Sequence, residues 1–258
     1  MNYLFAIVAG AIQGLTEFLP VSSTGHLIIF ENIFGISQTD FGLAFDASLH
    51  LGTLLAVVLF FYKDYLKIFN IKNKLLVLLI LGTIPAIFFG LTFENYIETT
   101  LRQTWIVASS LIAFSFVLIL AEKNGQKIKK QQNITYLDSI IVGLFQALAL
   151  IPGISRSGST ISGGLLLGLK REEAAKFAFM LSGPVIAGAG IKKFLEVTTS
   201  SISGSDLSFF TIGIISSAIF GFLTIKYFLK YLQTNTLYPF VIYRIILGLV
   251  ILIALFRQ

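Results

Sequence analysis

Long apolar blocks run along this chain, cut by a few short polar stretches. Three blocks carry no charge, Leu75 to Phe93, Gln103 to Ala121 and Leu207 to Ile225, and each is long enough to cross a hydrocarbon core as a helix. Ala47 to Tyr62, Phe177 to Ile191 and Pro239 to Phe256, the last containing Arg244, are shorter or interrupted and are read as further crossings on the topology argued below. Two polar interruptions stand apart: Val21-Ser22-Ser23-Thr24-Gly25-His26, and Pro152-Gly153-Ile154-Ser155-Arg156-Ser157-Gly158-Ser159-Thr160. Inside a bilayer, unwound polar backbone is tolerated only where protein or a water-filled cavity covers it, so the two are expected to form halves of one built site.

Composition supports the membrane reading. The chain is 55% hydrophobic and only 12% charged, with a mean hydropathy of +0.86, far from an ordinary soluble domain. The absence of Cys removes any disulfide framework or thiolate chemistry. A net charge of +6 does not mark nucleic acid, because its placement explains it. Lys63, Lys67, Lys72 and Lys74 form one cluster, Lys123, Lys127, Lys129 and Lys130 a second, Lys170, Arg171 and Lys176 a third, and Lys226 and Lys230 a fourth. These are the signals of cytoplasmic loops. No basic residue precedes Lys63, whereas Glu17, Glu31, Asp40 and Asp46 do, so the amino terminus is expected outside. Met1 to Leu4 lack a basic lead, so no removable signal peptide is expected.

Orientation then constrains the interruptions. Residues 3–34 must enter and leave from outside, and residues 136–169 from the cytoplasmic side, as two hairpins pointing at each other. A faint repeat agrees: Gly10, Gln13, Leu15, Ser22 and Gly25 match Gly143, Gln146, Leu148, Ser155 and Gly158 at a constant spacing of 133 residues. The expected fold is an all-α polytopic membrane protein with an inverted-topology repeat, each half a re-entrant helical hairpin plus three transmembrane helices. It is one domain spanning 1–258, with pseudo-repeats at about 1–121 and 136–256 joined by a solvated basic connection at 122–135.

Apolar sequence resumes after each interruption, so each is expected to present a helix N-terminus, whose free N–H groups and positive dipole end favour an anion. Arg156 adds a planar cationic donor suited to phosphate oxygens. The spacing of a P-loop is absent. Gln13 and Glu17, four residues apart, share a helix face. Glu17 has three readings: ligand to a hard divalent cation, proton acceptor, or partner of Arg156 in a buried ion pair. His26 is either a base, acid or nucleophile at the same tip, or a hydrogen-bonded interior residue.

The stretch QGLTEFLPVSSTGH from Gln13 to His26, with PGISRSGST from Pro152 to Thr160, resembles the two signature motifs of the undecaprenyl-pyrophosphate phosphatase family, associated with bacitracin resistance; FDASLHLGTLLAVV from Phe45 and PFVIYR from Pro239 extend the similarity. The resemblance implies a bacterial cytoplasmic-membrane enzyme that hydrolyses undecaprenyl pyrophosphate to the monophosphate carrier lipid for peptidoglycan, with its site open to the extracytoplasmic side. It implies Glu17, Ser23, His26 and Arg156 as catalytic residues, with Gln13, Ser22, Thr24, Gly25, Ser155, Ser157, Gly158, Thr160 and Arg244 around the substrate phosphates. Arg244 is alternatively a helix cation satisfied by neighbouring acceptors. Mg²⁺ or Ca²⁺ is the implied cofactor, with Glu17 as its ligand, and Gln13 standing where some members carry Glu removes one negative charge. Expected partners are a polyprenyl pyrophosphate lipid, membrane lipids and a second copy in a homodimer, and no nucleic acid. The alternative reading is a transporter that flips polyprenyl phosphate through the same pocket; a flippase needs anion donors but no nucleophile and base.

Overall fold

A computed structural model describes residues 3–34, 40–68, 73–198 and 204–255. In chain order the helices are α1 (Tyr3–Phe18), α2 (Ser23–Phe34), α3 (Asp40–Phe60), α4 (Tyr62–Ile68), α5 (Lys74–Thr92), α6 (Glu94–Thr99), α7 (Thr104–Asn124), α8 (Tyr136–Leu148), α9 (Arg156–Leu166), α10 (Arg171–Thr198), α11 (Gly204–Leu232) and α12 (Tyr238–Leu255), with a 3₁₀ turn at Gln131–Asn133. The protein is an all-α, multi-pass membrane protein. Among the described residues, four helical stretches are long and apolar enough to cross a bilayer: Lys74–Thr92, Thr104–Asn124, Leu207–Leu232 and Tyr238–Leu255. The other two expected crossings fall in α3 and α10, and α10 runs well beyond the expected 177–191 because its charged first turn, Arg171-Glu172-Glu173, is helical too.

Local chemistry sets the ends. Asn73 caps α5 by accepting from the Leu75 N–H at 3.0 Å. Thr135 and Asp138 form a reciprocal capping box at the start of α8. Both interruptions end one helix and begin another, giving the hairpins α1–α2 and α8–α9.

The helices of the two halves interleave. α1 packs on α11, α8 packs on α5, α3 lies against both α10 and α11, and α7 pairs with α12. Small residues allow the closest approaches. A Cβ on Gly14 would lie 2.6 Å from the Gly221 nitrogen, and one on Gly143 2.5 Å from the Gly82 carbonyl oxygen, so neither position admits a side chain. Serines bond across the same seams: Ser216 Oγ donates to the Ile7 carbonyl at 2.7 Å and Ser139 Oγ to that of Leu78 at 2.5 Å.

The connection at 122–135 is less solvated than its composition suggests. Glu122 is buried and pairs with Arg171 and Lys127, Ile134 is buried in the core, and Lys129 pairs with Asp138 at 2.5 Å. Backbone bonds from Ile128 and Lys129 to the Gly168 carbonyl tie it to the end of the second hairpin. Glu122 and Ile134 turn inward, Lys127 and Lys129 lie along the surface in ion pairs, and Lys123, Ile128 and Lys130 stay exposed, because a linker between packed segments is drawn onto them only where its side chains find partners.

Candidate active site

Each hairpin turns on a serine in the left-handed backbone region. Ser22 has φ 71° and Ser155 φ 76°, and the two lie 133 positions apart, the spacing of the sequence matches. That conformation is unfavourable for most residues but eased for those with short polar side chains that bond locally. Ser155 caps α9, its Oγ accepting from the Gly158 N–H at 3.2 Å. The two tips touch. Ser157 Oγ donates to the Leu19 carbonyl at 2.8 Å, and a Cβ on Gly158 would come within 3.3 Å of Pro20 Cβ.

Where the tips meet, donors converge on one carboxylate. Glu17, 7% exposed, accepts from Gln13 Nε2 at 2.9 Å and from Ser23 Oγ at 2.7 Å through Oε2, and forms a direct ion pair with Arg156 through Oε1. His50 Nε2 stands 3.8 Å from Oε2. The Nδ1 of His50 lies 2.9 Å from the Asp46 carbonyl, which fixes the proton there and leaves Nε2 facing Glu17. A cleft of ≈ 170 Å³ opens beside this cluster, lined by Glu17, Ser22, Ser23, Thr24, His50, Gln146, Ser155 and Arg156 together with apolar residues. The starts of α2 and α9 both border it, so N–H groups without intrahelical partners, a hydroxyl and a guanidinium surround one anion-sized space.

Of the residues expected from sequence, Glu17, Ser22, Ser23, Thr24, Ser155 and Arg156 line the cleft. Gln13, Gly25, His26, Ser157, Gly158, Thr160 and Arg244 do not line it. His26 faces α12: its ring stacks on Tyr243 at 5.6 Å with Nε2 2.6 Å from the Tyr243 hydroxyl, and its Nδ1 bonds the Ser22 carbonyl at 2.8 Å. Thr160 Oγ1 donates to the Arg156 carbonyl at 2.7 Å. Arg244 is 0% exposed, and its donors are taken by Ser115 Oγ and by the carbonyls of Leu111, Pro20 and Gly153 at 3.1–3.3 Å. Pro20 and Gly153 belong to different tips and are themselves one repeat apart, so Arg244 clamps the two tips from behind.

The site also holds two residues that motif reading passed over. His50 sits in the FDASLHLG stretch, and Gln146 lies 133 positions after Gln13. Both glutamines are buried with Oε1 unpartnered among the described residues. No three or more His, Asp or Glu side chains gather into a closed metal site among the described residues. One carboxylate lining the cleft, Glu17, would suit a hard cation of the Mg²⁺ or Ca²⁺ kind that takes its remaining ligands from water and phosphate oxygens, while Gln13 turns its Nε2 toward that carboxylate.

Comparison with known proteins matches residues 6–250 to the family described as bacitracin resistance protein BacA. The chain is 46% identical to an undecaprenyl-diphosphatase of Thermodesulfovibrio yellowstonii, with 99% of each chain covered. It is 42% identical to one of Mycolicibacterium smegmatis, covering 98% of this chain and 96% of that one. It is 39% identical to one of Rubrobacter xylanophilus, with 96% of each covered.

Proposed function

The chain belongs to the bacitracin resistance protein family, and from that premise we propose that its cleft removes the terminal phosphate of undecaprenyl pyrophosphate, releasing inorganic phosphate and the monophosphate carrier lipid. It is a membrane-embedded hydrolase. The observation that carries the chemistry is the 2.7 Å bond from Ser23 Oγ to Glu17, set beside Arg156 at the junction of two helix starts.

Ser23 Oγ attacks the terminal phosphorus as its proton passes to Glu17; the bridging P–O bond breaks and the lipid monophosphate leaves, taking that proton from Glu17 and restoring the carboxylate. Water then attacks the phosphoserine, giving a proton to Glu17, while Ser23 Oγ departs and regains a proton from that carboxyl. Arg156 and the N–H groups at the starts of α2 and α9 hold the phosphoryl oxygens, the positioning and charge stabilisation on which phosphoryl transfer depends. Arg156 is held on Glu17 before substrate arrives, so the donor is already aimed when an incoming phosphate competes for it. Gln13 orients Glu17, and His26 with Tyr243 anchors the start of α2 against α12. Mg²⁺ or Ca²⁺, held by Glu17 and substrate oxygens, would supply further neutralisation of phosphate charge.

The two opposed hairpins and the shared spacing of Ser22 and Ser155, Pro20 and Gly153, and Gln13 and Gln146 support an inverted-topology repeat in a single domain. The basic clusters support a cytoplasmic-membrane orientation with the first hairpin entering from outside and the cleft open to that side. Flipping alone would leave the Ser23–Glu17 pair without a purpose.

Phosphate release from a long-chain polyprenyl pyrophosphate by the purified protein, with and without EDTA, tests this. Ser23→Ala and Arg156→Ala are each expected to abolish turnover, with melting in detergent checking that each variant is folded. A folded wild type that releases nothing in Mg²⁺ or Ca²⁺ would sink the enzyme reading.

A further inference from the structure

Leu150 borders two cavities. On one side it belongs to the apolar edge of the phosphate cleft, with Ala86, Ala149 and Val185. On the other it opens into a second cavity of ≈ 420 Å³ between the end of α5, α6 and the tip end of α8. The two differ in character. Phe89, Phe93, Ile97, Leu144 and Leu148 wall the second, Tyr96 is its one polar side chain, and none of the residues lining it is charged.

Its construction is specific. α5 ends at Phe93, which leaves helical geometry at φ −112° and ψ 17°, and α6 starts at once, turning the chain across the outside of the cavity. The rings of Phe89 and Phe93 lie nearly parallel, 14° apart with centroids at 6.2 Å, as one continuous wall. Gly90 lies against the Leu150 side chain, where a Cβ would come within 3.8 Å of it. Phe93, Leu144 and Leu148 are about half exposed at the rim, which leaves the cavity open to the bilayer.

We propose that this cavity seats the first isoprenoid units of the lipid substrate, with Leu150 the sill over which the chain passes from the phosphate cleft toward the membrane. The proposal rests on the phosphatase reading above. A diphosphate ester changes from strongly polar to wholly apolar within a few bonds, so a site that takes its head needs an apolar space in direct contact with the head pocket, and here one side chain separates them. The volume falls within the range of about 300–1,000 Å³ usual for small-molecule pockets, which holds the proximal part of a long polyprenyl chain and leaves the rest in the bilayer. Selection is then for an isoprenoid next to the diphosphate, without a measure of total chain length. This also gives the aromatic side chains of α5 and α6 a task beyond lipid-facing packing.

The test uses the purified full chain and the variants Ile97→Trp, which fills the cavity from its outer wall, and Phe93→Ala, which removes part of the aromatic wall; both sit away from the phosphate cleft, and melting in detergent checks their folding. For undecaprenyl pyrophosphate each is expected to raise KM about tenfold, the scale of one or two apolar groups displaced in a hydrophobic pocket. The competitive inhibition constant of inorganic pyrophosphate, which reports the head pocket alone, is expected to stay unchanged. Unchanged KM in both variants overturns the tail assignment and leaves the cavity to a bilayer acyl chain; parallel loss of lipid and pyrophosphate binding overturns it too, because the variants would then act through the cleft. No release by wild type would instead overturn the phosphatase reading, a different result from a normal wild type with insensitive variants.

Discussion

Glu17 is an acceptor shared by a hydroxyl, an amide and a guanidinium, with an imidazole close by. Such a buried carboxylate is stabilised only while its donors stay, which makes substitutions around it informative. Arg156→Lys keeps the charge and loses the planar fork that serves Glu17 and phosphate together, so turnover is expected to fall by about 10²–10³, the cost of one lost oxyanion donor, as read in kcat of phosphate release. Gln13→Glu adds a second carboxylate beside Glu17. The variant is expected to need less Mg²⁺ or Ca²⁺ for half-maximal activity and to respond more sharply to EDTA, as a metal titration of the rate will show; an unchanged titration would remove Gln13 from the metal question. Glu17, Ser23 and Arg156 were legible in the sequence because ionisable or hydroxyl groups inside apolar runs stand out. His50 and Gln146 were not, since one His in an apolar helix and one Gln in a hairpin carry no local sign of facing a cavity made by other segments.

Half-helices acquire meaning in pairs. Neither hairpin alone closes a phosphate site, and their tips are joined by the Ser157–Leu19 bond in front and by Arg244 behind, which bonds the carbonyls of Pro20 and Gly153 at once. Arg244 was one of the residues expected around the phosphates; its guanidinium instead meets protein acceptors, the other reading open for a cation in that helix. Arg244→Met preserves much of the packing and orphans these carbonyls. It is expected to destabilise the protein by about 1–3 kcal/mol, the cost of leaving buried acceptors without their donor, with a lowered Tm in detergent. Turnover is expected to drop although Arg244 does not line the cleft. Unchanged Tm and kcat would refute the clamp. The helices themselves were readable, because charge-free blocks and caps such as Asn73 and Thr135 act locally; α4 and α6 were missed because short surface helices leave no apolar block.

At the scale of the whole molecule, interleaving couples the halves: α1 rests on α11 of the second half and α8 on α5 of the first. Orientation is testable without background, because the chain has no Cys. Lys130→Cys, exposed in the basic connection, is expected to react with an impermeant maleimide only when the cytoplasmic face is opened, and Asn95→Cys, exposed in α6, to react on intact spheroplasts. The opposite pattern would invert the topology and with it the side from which substrate enters.

The sequence by itself determined the membrane character, the blocks that become helices, the two interruptions and the residue types able to handle phosphate, because hydropathy, charge and backbone breaks are properties of neighbouring residues. Tertiary structure decided which polar groups face the cleft and which hold its walls. Arg156 meets Glu17 across 139 positions, and His26 and Arg244 turn to partners elsewhere. The direction of a side chain is set by the helices packed against it, and those come from distant parts of the chain.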